Sequence, residues 1–485
     1  MAEARRPNIL LITTDQQRFD TIHATGNPHI MTPNLNWLVD NGIVFNNAYT
    51  DCPICMPARA TIMTGRHGYS MGLTGNDPDI RPIQARTSLA GLLTASGYQT
   101  RAQGKMHFSP LRCHYGFEQM EILEDYYRYM ARHPEKGVPM DHGLAQNTME
   151  PGISTVEESY SLTHWTVERS VDFLETRDET RPFFLWTSFA KPHPPWDPCR
   201  SYWELYQGRT IPGPIYGDWS RRLEDVPPGF LRQTCSVNMS YRFSEECLLA
   251  AKRAYYACIT QIDYNLGLLF ARLRELDLLE NTLIIFTSDH GEMLGDHHLG
   301  AKGVPFEGSA RVPMIVRIPE GHPRFNPRWR GAVSSALVCL ADILPTVLNF
   351  AGVPLPTNVE LDGTDMLAAA EGTVERDTLY GESASFHFVR EGRFKYCYET
   401  LGGAELLFDL EQDPLEQHEL IRTGRYEEVH RELRAKLIAR LERTRHPAVV
   451  DGKLVCQNPN LALDDLPKNT WPGFHSRVVP TDVLH

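Results

Sequence analysis

Residues able to do acid, base or metal chemistry fall at the ends of predicted strands. Asp15 and Gln16 follow the apolar run Asn8–Thr14, Lys105 and His107 follow Tyr98–Ala102, His193 follows Phe183–Phe189, and Asp289 and His290 follow Leu283–Thr287. In open α/β sheets ligands bind outside the carboxyl ends of the strands. One acidic strand end is more simply a helix cap, but four ends carrying acids, bases and amides predict a single convergent site. Asp15, Gln16, Asp289 and His290 offer oxygen-rich ligation with one imidazole. Such hard donors suit Ca²⁺ or Mg²⁺ better than a thiolate-preferring metal.

The segment from Asp51 to Arg66 carries a second kind of chemistry. Cys52 and Cys55 form a C-x-x-C, the spacing of a redox pair or of half a zinc site. No second C-x-x-C exists in the chain, and a thioredoxin-like context is absent. The same stretch also reads Cys55-x-Pro57-x-Arg59, followed by Thr64-Gly65-Arg66.

Taken with Gly104-Lys105-Met106-His107, Lys191-Pro192-His193, Ser288-Asp289-His290-Gly291 and Lys302 in order, that motif resembles the type I, formylglycine-dependent sulfatases of the alkaline phosphatase superfamily. The resemblance runs from Asn8 to the turn ending at Pro414. It implies that a maturation enzyme oxidises Cys55 to formylglycine. It implies further that Asp15, Gln16, Asp289, His290 and the modified residue 55 hold one divalent cation, Ca²⁺ with Mg²⁺ or Mn²⁺ as alternatives. Arg59 would hold the aldehyde hydrate, Lys105 and Lys302 would contact the sulfate oxygens, and His107 and His193 would move protons. The physics is consistent with these roles. A sulfate monoester repels an anionic nucleophile, so a cation and two ammonium groups must neutralise it. His193 would protonate the departing alcohol, and His107 would deprotonate the second hydroxyl of the hydrate, which then expels sulfate.

The chain departs from the commoner pattern at Gln16, where a second Asp is frequent, at His290, where Asn is frequent, and at Ala58, where Ser is frequent. The Asp-Gln and Asp-His pairs are similar to phosphonate monoester hydrolases, and Asp-Gln also to choline sulfatases. The leading expectation is hydrolysis of a sulfate monoester on a carbohydrate, a small or oligomeric saccharide of glycosaminoglycan type. The loops from Tyr126 to Ser161 and from Trp196 to Arg242 are rich in side chains that stack on sugars and bond to hydroxyls. A phosphonate monoester or phosphodiester hydrolase with the same nucleophile is the alternative, as is a choline-sulfatase-like enzyme. Trp196 is one aromatic residue for a quaternary-ammonium cage. A catalytically silent binding protein with unmodified Cys55 is the remaining reading. It does not explain why Asp15, Arg59, Lys105, His193 and Asp289 are all retained.

The elements that must position these residues follow from patterning over 485 residues, roughly three domain-lengths of about 150. Apolar β-type runs alternate with helices near Asn34–Asn41, Ser88–Ser96, Glu245–Leu279 and Ala336–Ala351, with a further strand at Pro313–Ile318. This predicts an α/β fold, a large, mainly parallel sheet flanked by helices, over residues 1–375; the resemblance makes it alkaline phosphatase-like. Four short strands, Thr378–Glu382, Phe386–Glu391, Phe394–Glu399 and Glu405–Asp409, then a helix Tyr426–Arg443, predict a smaller C-terminal α+β subdomain over 376–445. The tail, 446–485, lacks periodicity; it is expected to cover the site, to meet another subunit of a homo-oligomer, or to be loosely ordered. The 61 acidic and 48 basic residues leave a net charge of −13, which argues against a nucleic-acid partner. That charge also opposes a long polyanion, unless Arg221, Arg222 and Arg311 shape a positive cleft. No run of eighteen apolar residues occurs, which excludes a membrane span. The start lacks a signal h-region, so the chain reads as cytoplasmic. Ten scattered cysteines are expected to be mostly buried thiols.

Overall fold

Strand β1 (Asn8–Asp15) is buried at all eight positions, the mark of a strand covered on both faces. It pairs in parallel with β5 (Phe183–Pro192) and β6 (Thr282–Ser288). The remaining strands of this sheet are β2 (Ile43–Tyr49), β3 (Gln99–Gly104), β4 (Gln119–Ile122), β7 (Met314–Arg317) and β8 (Ala332–Cys339). Their order is β4-β3-β5-β1-β6-β7-β2-β8. All pairings are parallel except those of β7, which runs against both β6 and β2. The mainly parallel sheet expected from the alternation is therefore present. The computed structural model describes residues 6–144, 146–235 and 240–466.

Alternate residues of β1 feed two cores. Ile9 and Leu11 pack with Ala58, Ile62 and Leu344 on one face. Leu10 and Ile12 pack on the other with Ile262, Leu266 and Leu269 of the long helix Glu245–Glu275. That helix is opened by Ser244, whose side chain accepts from the Cys247 N–H, and it has Glu245 and Glu246 in its first turn and Arg272 and Arg274 in its last. Each feature favours the helix dipole. Among the described residues no helix is long and apolar enough to cross a membrane.

One expected element differs. Ala336–Ala351 is not a single helix: Ala332–Cys339 is edge strand β8, a turn follows at Leu340–Asp342, and the helix is Ile343–Ala351, closed by Gly352. A short apolar run such as Ala336–Cys339 fits helix or strand equally. The contest is decided by pairing with β2 and by Asp342, whose carboxylate accepts from the Cys339 N–H at 2.8 Å.

A separate antiparallel sheet lies C-terminal to the first. Its strands are β9 (Thr378–Ser383), β10 (Phe386–Glu391), β11 (Phe394–Glu399) and β12 (Glu405–Asp409), in the order β12-β11-β10-β9. Leu433, Leu437 and Leu441 of the helix Glu427–Arg443 cover one face. Phe386, Phe388 and Phe408 on the other pack against Trp219 and Phe306. Of the expected tail, residues 446–466 are described and include a small hairpin at Val449–Val450 and Lys453–Leu454; residues 467–485 lie outside the described residues.

Candidate active site

The carboxyl ends of β1, β3, β5 and β6 converge. Asp15 closes β1, and the chain turns sharply at Gln16, whose φ is +72°. Tyr255 on the long helix holds this turn, its hydroxyl donating to the Gln16 carbonyl at 2.6 Å and accepting from the Arg18 N–H at 2.8 Å. Beyond β6, the Asp289 Oδ1 accepts from the N–H groups of Gln16 and His290 at 3.1 and 2.9 Å. The ends of β1 and β6 are thus locked together. At the end of β3, Gly104 has φ +92°, and a Cβ there would meet the Ser188 carbonyl oxygen at 2.0 Å. Only glycine lets β3 approach β5 closely enough to deliver Lys105.

Cys55 is the first residue of the fully buried helix Cys55–Thr64, where the dipole favours an anion. Its Sγ lies 3.2 Å from His290 Nε2 and 4.0 Å from Asp15 Oδ1. The ligand atoms of Asp15, Cys55, Asp289 and His290 all lie within 4.8 Å of one another. His290 Nδ1 faces the Gly291 carbonyl at 2.9 Å, which fixes the ring with Nε2 toward the cluster; burial lowers its pKa, but Asp289 and Cys55 outweigh burial and raise it above 6.5. One turn along the helix, Arg59 is buried between the two carboxylates, donating from Nε to Asp289 Oδ2 at 3.0 Å and from Nη2 to Asp15 Oδ2 at 3.1 Å. Its Nη1 donates to Ser188 Oγ at 2.8 Å and to the Lys105 carbonyl.

Lys105 Nζ pairs with Asp15 Oδ2 at 2.6 Å. Lys302 Nζ donates to His193 Nε2 at 2.9 Å and to the Gln16 amide oxygen. His193 Nδ1 faces the Pro194 carbonyl at 2.8 Å. His107 has φ +53°, and its buried Nδ1 has no hydrogen-bond partner among the described residues. Asn76 accepts from the Met56 N–H at 3.0 Å and so steadies the first turn of the helix Cys55–Thr64. Asp296 and His297 order the loop that carries Lys302: Asp296 pairs with Arg18 at 2.8 Å, and His297 Nδ1 meets Ser220 Oγ at 2.7 Å.

Electrostatics separate the groups. Burial raises the Asp15 carboxyl, but Lys105 and Arg59 outweigh it and hold Asp15 well below the usual range. Burial and the neighbouring Asp15 push Asp289 up. Burial raises Cys55 as well, yet Lys302, Lys105 and His290 hold its thiol well below 9. Cys52 is driven the other way, by burial and by Asp51. The nine described cysteines are all free, so the C-x-x-C is not a disulfide here, and only Cys55 is set up as an anion. Burial, Lys302 and Lys105 hold His193 well below 6.5.

Two groups that sequence reasoning passed over complete the site. Glu292 is fully buried; its Oε1 accepts from the N–H groups of Leu294 and Ala301 at 3.0 and 2.5 Å, and its Oε2 accepts from Gln16 Nε2. Ser188 links Arg59 to the Lys105 carbonyl. Glu292 could have been found as the acid directly after Asp289-His290-Gly291. Ser188 had no signal beyond its place at the end of a strand.

The sulfatase family profile matches residues 7–353. The chain belongs to the sulfatase family. A second profile, described as N-sulphoglucosamine sulphohydrolase, C-terminal, matches residues 295–443. This sulfatase is 35% identical over 474 residues to an arylsulfatase of Clostridium perfringens, covering 92% of this chain and 96% of that protein. It is 31% identical to a choline-sulfatase of Rhizobium meliloti, over 85% and 81% of the two chains. The crystal structure of the phosphonate monoester hydrolase of Agrobacterium radiobacter superposes with a TM-score of 0.75 at 25% identity, over 91% and 96% of the chains. The fold is accordingly alkaline phosphatase-like, and the sulfatase is a sulfuric ester hydrolase.

Proposed function

We propose that this sulfatase hydrolyses the sulfate monoester of a small saccharide, with a formylglycine made from Cys55 by a maturation enzyme and with one divalent cation, Ca²⁺ in the first instance. The observation that carries the reading is the position of Cys55, at a helix N-terminus with Asp15, Asp289 and His290 Nε2 around it. Two buried carboxylates, one imidazole and a nucleophile position suit a hard cation with residual affinity for nitrogen. Asp15, Asp289, His290 and residue 55 would hold it. Gln16 can join them through its amide oxygen, which Lys302 now occupies. A cation there supplies positive charge to the sulfate and lowers the pKa of an oxygen nucleophile. Converted to formylglycine and hydrated, residue 55 would supply one hydroxyl to attack sulfur and a second to release sulfate.

The other residues do the binding and proton transfer. Lys105 and Lys302 flank the cluster and neutralise the sulfate oxygens. Arg59 keeps Asp15 and Asp289 in register. His193 is neutral while two ammonium groups face it; an entering sulfate offsets those charges and returns the imidazole to the protonated form that gives a proton to the leaving alcohol. His107, whose buried Nδ1 has no hydrogen-bond partner among the described residues, would take the proton from the second hydroxyl. The name of the C-terminal profile supports a saccharide. The Trp196 ring is fully buried against Tyr255 and lends nothing to a choline cage.

The test is mass spectrometry of the tryptic peptide from Phe19 to Arg59 after co-expression with a maturation enzyme. Loss of the thiol in favour of an aldehyde is expected; an intact thiol, where a control sulfatase is converted, overturns the reading. The likeness to a phosphonate monoester hydrolase supports a second reading with the same nucleophile. A kcat/KM that favours sulfate over the matched phosphonate ester by orders of magnitude removes it.

A further inference from the structure

Beside the sulfate-binding lysines a cavity of about 340 Å³ opens, lined by His107, His193, Glu124, Tyr126, Tyr127 and Met140 among others. Its volume is that of a small-molecule site, and its place next to both candidate proton-transfer histidines is where the departing alcohol must sit. Its charges are distinctive. Lys191 lines it but is spent on Asp197, which is also held by His142 at 3.0 Å. Arg112, whose charge reaches Glu124, is taken by both oxygens of Asp125. Arg311 is buried against Glu307 and Asn46, and neither it nor Arg221 nor Arg222 lines the cavity. The positive cleft that a polyanion would need is not built from those three arginines. Glu124 remains as a half-buried carboxylate with a bond to its own backbone N–H and no ion-pair partner among the described residues. It is not needed as a helix cap, because Asp125 already accepts from the Ile122 N–H at 2.9 Å. A desolvated carboxylate without a partner is costly unless a donor meets it.

We propose that Glu124 is a specificity-determining residue for the leaving group: it accepts a hydroxyl or ammonium donor of the substrate and rejects a second anion. This rests on the hydrolase reading above and narrows it to sulfate esters of neutral or amino-bearing alcohols, single sugar units without an adjacent carboxylate or second sulfate. Tyr127, half-buried in the cavity wall, adds an aromatic surface against which a ring can lie, in keeping with a compact substrate rather than an extended chain.

The experiment uses the full chain carrying the aldehyde and three phenyl sulfates with para substituents CH₂NH₃⁺, CH₂OH and CH₂CO₂⁻. The methylene insulates the leaving oxygen, so the three differ chiefly in remote charge. The ammonium and hydroxyl esters are expected to exceed the carboxylate ester in kcat/KM by about tenfold, the size of one charge contact in a partly solvated site. Glu124→Gln should shrink the ratio between ammonium and carboxylate esters to near unity, and E124K should invert it. Equal kcat/KM for the three esters in the wild type, or a ratio untouched in E124Q, overturns the proposal. No turnover of any of the three by protein with the aldehyde in place overturns the hydrolase reading itself, and this proposal with it.

Discussion

Glu292 and Gln16 form a buried pair in which the carboxylate accepts from the amide Nε2, and this fixes which end of Gln16 faces Lys302. The amide nitrogen is committed to Glu292, so the oxygen alone points toward the anion-binding side, where Lys302 Nζ donates to it. The same carboxylate clamps the N–H of Ala301, whose φ is +59°, and so sets the residue just before Lys302. One acid therefore orients a candidate metal ligand and the loop of Lys302, the lysine proposed to bind sulfate, together.

Glu292→Gln tests that linkage. The variant has one oxygen for three donors, leaving at least one buried donor unpaired at a cost of about 1–3 kcal/mol. A fall of about tenfold to hundredfold in kcat/KM is expected, with a weaker calorimetric response to Ca²⁺. Wild-type values for both would show that Gln16 and Lys302 hold their positions without the acid.

Arg59→Lys removes the fork that spans Asp15 and Asp289. An ammonium cannot reach both carboxylates and Ser188 in the same plane, and breaking one side of a buried pair typically costs about 3–5 kcal/mol. We expect a lower melting temperature and loss of turnover, with part of the stability returned by added Ca²⁺. A variant as stable as the wild type in chelator would mean that Asp15 and Asp289 do not need the guanidinium.

Much of this arrangement is legible in the sequence, for identifiable reasons. Asp15, Lys105, His193 and Asp289 stand at strand ends, and parallel sheets bring such ends to one edge, so convergence follows from alternation alone. The antiparallel strands β10, β11 and β12 were bounded by turns and match residue for residue. The strand within Ala336–Ala351 was not legible, because its apolar run is too short to choose between periods and its partner β2 lies nearly 300 residues away. Glu292 and Ser188 act through contacts made only once β1, β5 and β6 are aligned. Glu124 needed the cavity itself, since an acid in a helix's first turn reads as an ordinary dipole partner.

Metal removal should register in stability before it registers in chemistry. Asp15 and Asp289 are both fully buried, and a cation between them relieves their repulsion only in the folded chain. At a hundredfold excess over Kd, Ca²⁺ should add about 2.7 kcal/mol, read as a rise in melting temperature that EDTA reverses. Asp289→Asn should reduce the rise sharply. A melting temperature indifferent to Ca²⁺, Mg²⁺ and EDTA in the wild type would count against a divalent site.

A pH dependence follows from His297, which lies outside the catalytic cluster. Burial depresses its pKa from 6.5 to about 4, against the opposing pull of Asp296. The ring stacks on Trp219 at 4.6 Å and meets Ser220 Oγ and the Leu415 carbonyl. Its contribution is complete above pH 6.5, where the imidazole is neutral both folded and unfolded. As pH falls from 6.5 toward 4, the unfolded chain takes a proton that the folded chain refuses, and stability is lost, by about 2 kcal/mol at pH 5. His297→Phe keeps the stacking and deletes the titration. It should be less stable than the wild type at pH 7.5, for want of two hydrogen bonds, yet lose less melting temperature between pH 7.5 and pH 5. Parallel declines in scanning calorimetry across that interval would show that His297 does not carry the acid sensitivity of this loop.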